Sequence, residues 1–271
     1  MRVIDFYDRH PISEQHVLDA ARRRRGLVPL TADDLFDFDQ DHYGGLAAVD
    51  ALAQRAGITA RSRVLDICAG LGGPARFLAS RRRCRVVGVE LNPGRAVGMA
   101  RLTRLVHLED RVVVVRGDAV ALPFANGRFD ACVSQEALLH IADKPAVLAE
   151  ARRVLAPGGR LAFTDWIAHA ALGDLERRRL EEWMAAVTVH TLDGYRALLR
   201  RVGFKAVESE DLSDEWRPIL RERLRMYRGM RAELTARFGE HSYREYDQLY
   251  TFFVGLVEAG RLGGGRFSGS A

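Results

Sequence analysis

Cysteine is scarce in this chain of 271 residues. Cys68, Cys84 and Cys132 form an odd set, with no CxxC pair and no histidine at metal-ligand spacing. That argues against a disulfide scaffold and against a structural metal site. Cys68 and Cys132 fall in runs that read as buried strand or strand end, where a free thiol behaves as a small apolar residue. Long hydrophobic runs are missing too: none approaches the ~18 residues of a membrane helix. The stretch from Met1 to Pro11 mixes charges with apolar residues and lacks the apolar segment of a signal peptide. A cytoplasmic protein with reduced thiols and no membrane partner is the expectation. Internal repeats and low-complexity linkers are also absent.

Lysine is rare, so the net charge of +5 rests almost wholly on arginine. Arginine blocks stand at Arg22 to Arg25, Arg81 to Arg83 and Arg177 to Arg179. Acids are interleaved (Asp33-Asp34, Glu181-Glu182, Asp214-Glu215), and no aromatic–basic motif of the RNP type occurs. The blocks therefore read as exposed helix faces rather than a nucleic-acid footprint. With 48% hydrophobic and 28% charged residues the chain has material for a sizeable core. Its length suits one α/β domain with additions.

Between residues 63 and 165 short apolar runs alternate with helical spacing, the pattern of βαβ units and a mostly parallel sheet. The strands are expected at 63–68, 85–91, 111–116, 129–134 and 159–165. Helices are expected at 73–82 and 92–108, the second with Asn92 as cap and Pro93 at the first helical position. Asp143 caps a further helix that reaches residue 155 and is stopped by Pro157-Gly158-Gly159. Residues 13–25, 31–38 and 45–56 read as a helical cap. Helices at 172–190 and 191–201 follow, the second with Thr191 as cap, then a strand from 203 to 211. Two long helices are expected at 213–238 and 243–259, and a glycine-rich, mobile tail at 260–271. Grouped by role, these are a cap (1–58), a cofactor-binding core (59–212, with a helical insertion at about 170–190) and a helical extension with tail (213–271).

Chemistry concentrates in Val64-Leu65-Asp66-Ile67-Cys68-Ala69-Gly70-Leu71-Gly72-Gly73. An apolar strand ends in a loop of small residues that feeds a helix, so backbone N–H groups can approach a ligand closely. About 20 residues on, the second strand ends in Glu90, placed for the two hydroxyls of a ribose. Three details narrow the ligand. Asp66 stands inside the first strand, where a carboxylate suits an ammonium group. Gly117-Asp118-Ala119 ends the third strand, where a carboxylate can accept from an exocyclic amine. Pro157-Gly158-Gly159 directly precedes the fifth strand. Adenine, ribose and an amino-acid tail together make S-adenosylmethionine. Asp66 and the Gly117-Asp118 pair argue against a dehydrogenase.

On these residues the chain resembles the class I S-adenosylmethionine-dependent methyltransferases. The motifs VLDICAGLGGPARFLA, GDAVALPF, SQEALLHI and RRVLAPGGRLAFTDW are most similar to the small-molecule branch. That branch includes sarcosine/dimethylglycine and phosphoethanolamine N-methyltransferases and some natural-product enzymes. The likeness covers residues 63–165 and, more loosely, 195–212. It implies an α/β Rossmann-like fold with a mostly parallel seven-stranded sheet. It also implies that Asp66, Gly70 and Gly72 hold the methionyl end, Glu90 the ribose and Asp118 the adenine, with Leu91, Ala119 and Leu122 lining the adenine slot. Gln135, at the end of the fourth strand, is grouped with the cofactor residues. Cys68 departs from the pattern, which has glycine there. Either the loop tolerates a small side chain, or cofactor use is altered in favour of another methyl- or one-carbon-carrying ligand.

Methyl transfer from a sulfonium needs chiefly positioning and exclusion of water; a base matters where the acceptor carries a proton. The resemblance implies that His140 steers or accepts that proton. Glu136 is placed to pair with an amine. Tyr43, in Asp41-His42-Tyr43-Gly44-Gly45, is placed to cover the methyl donor with its ring. Trp166, residues 263–267 and Tyr7 are further pocket candidates. The expected partner is a small-molecule acceptor, with an amine favoured by the polar candidates; no nucleic acid and no metal are expected. The two long C-terminal helices offer a surface for a homodimer. An RNA methyltransferase is disfavoured because Ser134-Gln135-Glu136-Ala137 stands where an Asn-Pro-Pro-Tyr type of segment would be.

Overall fold

The alternation of apolar runs and helical patterns is realised as one seven-stranded sheet. A computed structural model describes residues 3–8, 10, 12–26 and 28–271. Four helices come first: α1 (Val3–Asp8), α2 (Glu14–Arg25), α3 (Ala32–Leu35) and α4 (Gly45–Arg55). The core then runs β1 (Arg63–Ile67), α5 (Gly73–Phe77), β2 (Arg85–Glu90), α6 (Pro93–Leu105), β3 (Val112–Arg116), β4 (Phe129–Gln135), α7 (Lys144–Val154) and β5 (Leu155–Ala168). After it come α8 (Asp174–Met184), α9 (Leu192–Val202), β6 (Lys205–Asp211), α10 (Ser213–Gly229), α11 (Arg231–Phe238), α12 (Glu240–Glu258) and β7 (Leu262–Ser270).

The strands lie in the order β3-β2-β1-β4-β5-β7-β6. They are parallel from β3 to β5, and β7 is antiparallel to both of its neighbours. Parallel strands are covered on both faces. Accordingly Val64 and Leu65, which point to opposite sides of β1, are both fully buried, one in each of two core clusters. A third cluster joins α8, α10 and α12 to the far end of β5. The expected caps form: Asn92 accepts from the N–H of Arg95 at 3.0 Å, Asp143 from Ala146 at 2.9 Å and Thr191 from Gly194 at 2.9 Å.

The tail is the largest departure from expectation. Leu262–Ser270 is an ordered strand wedged between β5 and β6, and α10 packs directly on its glycines. A Cβ at Gly263 would stand 1.7 Å from Oγ of Ser213, and one at Gly264 2.3 Å from the Trp216 ring. Glycine here permits close approach rather than motion. Elsewhere the helix at 73–82 shortens to α5 followed by a π turn (Leu78–Arg82). The helix at 172–190 stops at Met184, because the run Val187-Thr188-Val189 is β-branched and continues extended, with His190 bridging Ile167. The span 213–238 breaks at Met230 into α10 and α11. Pro157-Gly158-Gly159 lies within β5 as a bulge, where the register against β4 shifts.

Each arginine block is neutralised in part. Arg25 pairs with Asp34 at 2.8 Å, Arg81 with Asp33 at 2.9 Å and Arg82 with Asp50 at 2.6 Å, while Arg177 pairs with Asp174. One pair is wholly buried. Arg76 of α5 donates to Asp39 through Nη2 at 2.9 Å and Nε at 3.2 Å, and to Thr103 at 3.3 Å, with both charged side chains at 0% exposure. It fastens the segment after α3 to the core. Among the described residues no helix is long and apolar enough to cross a membrane.

Candidate functional site

In an open parallel sheet the ligand crevice forms at the carboxyl ends of the strands where the order reverses. Here that point lies between β1 and β4, and a cavity of about 390 Å³ opens there. Its lining takes Asp66, Cys68 and Gly70 from β1 and the loop after it, Glu90 and Leu91 from β2, and Asp118 and Ala119 from beyond β3. Gln135 and Glu136 come from the end of β4, and His140 from the turn that follows.

The loop after β1 is left-handed at Cys68 (φ 61°), Gly70 (φ 57°) and Gly72 (φ 79°). This explains why glycine suits position 68: a side chain in that region costs roughly 1–2 kcal/mol. Gly72 is fixed by space as well, since a Cβ would come within 2.5 Å of Met99. Glu90 organises the loop from the neighbouring strand. One of its carboxylate oxygens accepts from the N–H of Gly70 at 2.8 Å, the other from Asn92 at 2.8 Å.

Asp66 is 4% exposed, and its Oδ2 has no hydrogen-bond partner. Burial, reinforced by the charge of Glu90, pushes its carboxyl up to about 7. A buried carboxylate without a partner is costly unless a cation or donor arrives. The amide Nε2 of Gln135, on the same wall, is likewise unpartnered. These two orphans supply an acceptor for an ammonium and a donor for a carboxylate, which fits the amino-acid end of S-adenosylmethionine. Asp118 is exposed at the opposite end and spends Oδ1 on the N–H of Val120 at 3.1 Å. Leu91 (39% exposed) and Ala119 flank that end. Leu122 does not line the cavity: it lies in the core with its N–H on Glu150 at 2.7 Å, and Val120 and Ile141 are on the wall instead. The Cys68 side chain faces the cavity as a neutral thiol, because burial and the nearby acids push its ionisation well above the ordinary range.

On the other side of the cavity, His140 sits on a 3-10 turn (Leu138–His140). The carbonyl of Ala185, 3.0 Å from Nδ1, can only accept. The ring proton is therefore on Nδ1, and Nε2 accepts from the Tyr7 hydroxyl at 3.0 Å. Burial drives His140 down to about 4 and holds the Tyr7 phenol above its ordinary value, so both are neutral near pH 7. Tyr7 in turn carries the Arg95 guanidinium 4.6 Å over its ring, and Arg95 pairs with Asp41 at 2.7 Å. Glu136 accepts from the N–H of Tyr43 at 2.7 Å and from the Thr164 hydroxyl at 2.6 Å, and burial pushes it up to about 7.

A second cavity of about 450 Å³ shares Tyr7, Asp41, Glu136 and His140 with the first. Tyr43 lines this second space and not the first. Its ring meets Trp216 edge-on at 4.9 Å and lies under Arg223 at 4.6 Å. Trp166 lines it too, stacked on Phe253 at 4.0 Å. Residues 263–267, expected near a pocket, line none of the larger cavities and sit in β7. Sequence reasoning missed Asp41, Arg95 and Arg223, whose roles come only from long-range contacts. Among the described residues no group of three or more His, Cys, Asp or Glu could hold a metal ion.

Residues 65–163 match a family model described as a methyltransferase domain. Methyltransferase GfsG of Streptomyces halstedii is 33% identical over 76% of this chain and 81% of its own length. The 27-O-demethylrifamycin SV methyltransferase of Amycolatopsis mediterranei is 33% identical over 68% and 69%. Among solved structures, the phosphoethanolamine N-methyltransferase 2 of Haemonchus contortus, bound to phosphomonomethylethanolamine and S-adenosylhomocysteine, superposes with a TM-score of 0.80 at 21% identity. That alignment takes in 100% of this chain and 60% of the other.

Proposed function

The chain belongs to the class I S-adenosylmethionine-dependent methyltransferases that act on small molecules, and we propose the following division of labour among its residues. Asp66 receives the ammonium of the cofactor and Gln135 its carboxylate, while the backbone at Gly70 and Gly72 gives the tail room beside Cys68. Glu90 takes the ribose hydroxyls, Asp118 the adenine amine, and Leu91 and Ala119 sandwich the base. When bound, S-adenosylmethionine supplies a methyl group on a sulfonium that is already activated for in-line displacement. The protein has then to align the acceptor, keep water out and manage one proton.

Glu136 is suited to that proton. It faces both cavities, and a carboxyl near 7 matches working pH, where general bases are most effective. The Tyr7–His140 pair orients the acceptor: a neutral imidazole with its proton fixed on Nδ1 offers Nε2 as an acceptor, and the phenol is a movable donor. Tyr43, held by Glu136, walls the acceptor side. The three unpaired cysteines and the acids set against part of each arginine block support a cytoplasmic enzyme with no nucleic-acid partner.

The observation that carries this reading is the unpartnered Asp66 oxygen beside the glycine loop. Calorimetry with S-adenosylmethionine and S-adenosylhomocysteine tests it. Both bind the native protein, and Asp66→Asn weakens both about tenfold or more, the loss of one charge-assisted hydrogen bond. Equal affinity in the variant would remove Asp66 from the site.

A further inference from the structure

The acceptor space has a shape and a charge pattern of its own. Its inner part, next to Glu136 and His140, is walled by Tyr43, Leu139, Trp166, Met184 and Tyr250. Arg223 is the cation in contact with this wall, and it is already engaged: it donates to the His42 carbonyl at 2.5 Å and covers the Tyr43 ring. Asp41 is held by Arg95, Asp37 by Arg24, and Arg237 lies over the Phe238 ring at 4.9 Å. Arg223 and Arg237 themselves have no carboxylate partner among the described residues, so the charge pattern that selects against an anion is that of the outer cavity.

Outward, the chamber continues into a third cavity of about 570 Å³, with which it shares Phe6, His10, Tyr227, Leu234, Phe238, Tyr246 and Leu249. Two of the large apolar side chains that this molecule leaves exposed, Met226 (58%) and Phe238 (40%), stand on the lining of the chamber. The charged residues of the outer cavity are Asp8, Glu182 and Glu245, with neither arginine nor lysine among the described lining residues.

A small zwitterion would leave a largely apolar chamber of about 450 Å³ mostly unfilled. An anion at the mouth would face three carboxylates. We propose that the methyl acceptor is an elongated molecule with an apolar body, methylated at its inner end, whose outer end bears hydroxyls, a sugar or an amine and no phosphate or carboxylate. The proposal rests on the methyltransferase reading above and names the substrate class for it.

The test uses the full chain saturated with S-adenosylhomocysteine and the uncharged fluorophore N-phenyl-1-naphthylamine. The fluorophore binds at one site with blue-shifted emission. Below their micelle concentrations, dodecyl maltoside and dodecyltrimethylammonium displace it, and dodecyl phosphate does so at least about tenfold more weakly, as like charges at one end require. Glycine, sarcosine and phosphoethanolamine do not displace it. Leu249→Arg, and independently Phe238→Arg on the more exposed rim, abolish fluorophore binding and leave the S-adenosylhomocysteine titration as it was. Displacement by dodecyl phosphate as strong as by the maltoside, or by phosphoethanolamine, overturns the proposed class. No fluorophore binding to protein that still binds S-adenosylhomocysteine overturns the acceptor proposal alone. Failure to bind S-adenosylhomocysteine overturns the enzyme reading beneath it.

Discussion

The hydroxyl of Tyr7 lies 3.0 Å from Nε2 of His140, joining two side chains 133 residues apart across the border of the cofactor and acceptor cavities. The bond has a direction, because the Ala185 carbonyl fixes the imidazole proton on Nδ1. If the pair orients the acceptor, Tyr7→Phe and His140→Ala each lower kcat by about 10²–10⁴-fold, the usual range for a group that handles or steers a proton. The affinity for S-adenosylhomocysteine stays within a few-fold. The double variant loses little more than either single one, because each removes the same bond. Fully additive losses would separate the two residues into independent roles.

Proton linkage gives a second expectation. Asp66 titrates near 7 in the folded protein against an ordinary 3.8, and Glu136 near 7 against 4.5. Their contribution to stability is full below the ordinary values and is lost as pH rises through about 7, because the folded state holds protons that the unfolded chain has released. His140 and His42 are displaced the other way, to about 4 from 6.5, so their contribution is lost as pH falls through that interval. A bound cation relieves Asp66. The rise in Tm produced by saturating S-adenosylmethionine should therefore grow between about pH 6 and pH 8, and binding should release protons near neutrality. Asp66→Asn should flatten both effects, which thermal shifts and calorimetry in buffers of different ionisation enthalpy would register.

Cys68 invites the opposite kind of change. Its φ of 61° lies where glycine is at ease and a side chain is not. Cys68→Gly removes a cost of roughly 1–2 kcal/mol, less the added freedom of the unfolded chain, for a net gain of up to about 1 kcal/mol in urea unfolding. Binding of S-adenosylmethionine should hold or tighten. A loss of binding would mean that the thiol itself touches the cofactor.

The seventh strand can be tested by filling the gap its glycines leave. Gly264→Val places atoms inside the Trp216 ring position and should cost more than the ~1–3 kcal/mol typical of overpacking, since α10 must back away. A mobile tail would absorb the same change without effect on the urea midpoint.

What was legible in the sequence was local. Strands β1 to β5 followed from runs of Val, Leu and Ile between helical patterns, and the caps Asn92, Asp143 and Thr191 each bond three residues ahead, a distance the eye can follow. Asp66, Glu90 and Asp118 were legible for the same reason: each stands at a strand end next to its loop. Arg95 gave no such signal. Its partners Asp41 and Tyr7 are far away in the chain and meet it only when the N-terminal helices fold over the strand ends. In β7 the glycines were visible but their meaning was not. Flexibility and close packing use the same residue, and only the Trp216 and Ser213 side chains against them decide between the two.

The buried clasp of Arg76 on Asp39 determines which part of the cap can serve as a door. Swinging the segment behind α3 would strip two charges from each other in a dry interior, at about 3–5 kcal/mol. Helix α1 is held differently, through the half-buried Tyr7, which bonds His140 and lies under the Arg95 guanidinium, and through Asp8, which accepts from Asn92 at 2.8 Å. Ligand entry therefore leaves the segment behind α3 in place, and with it the core-facing base of the cap.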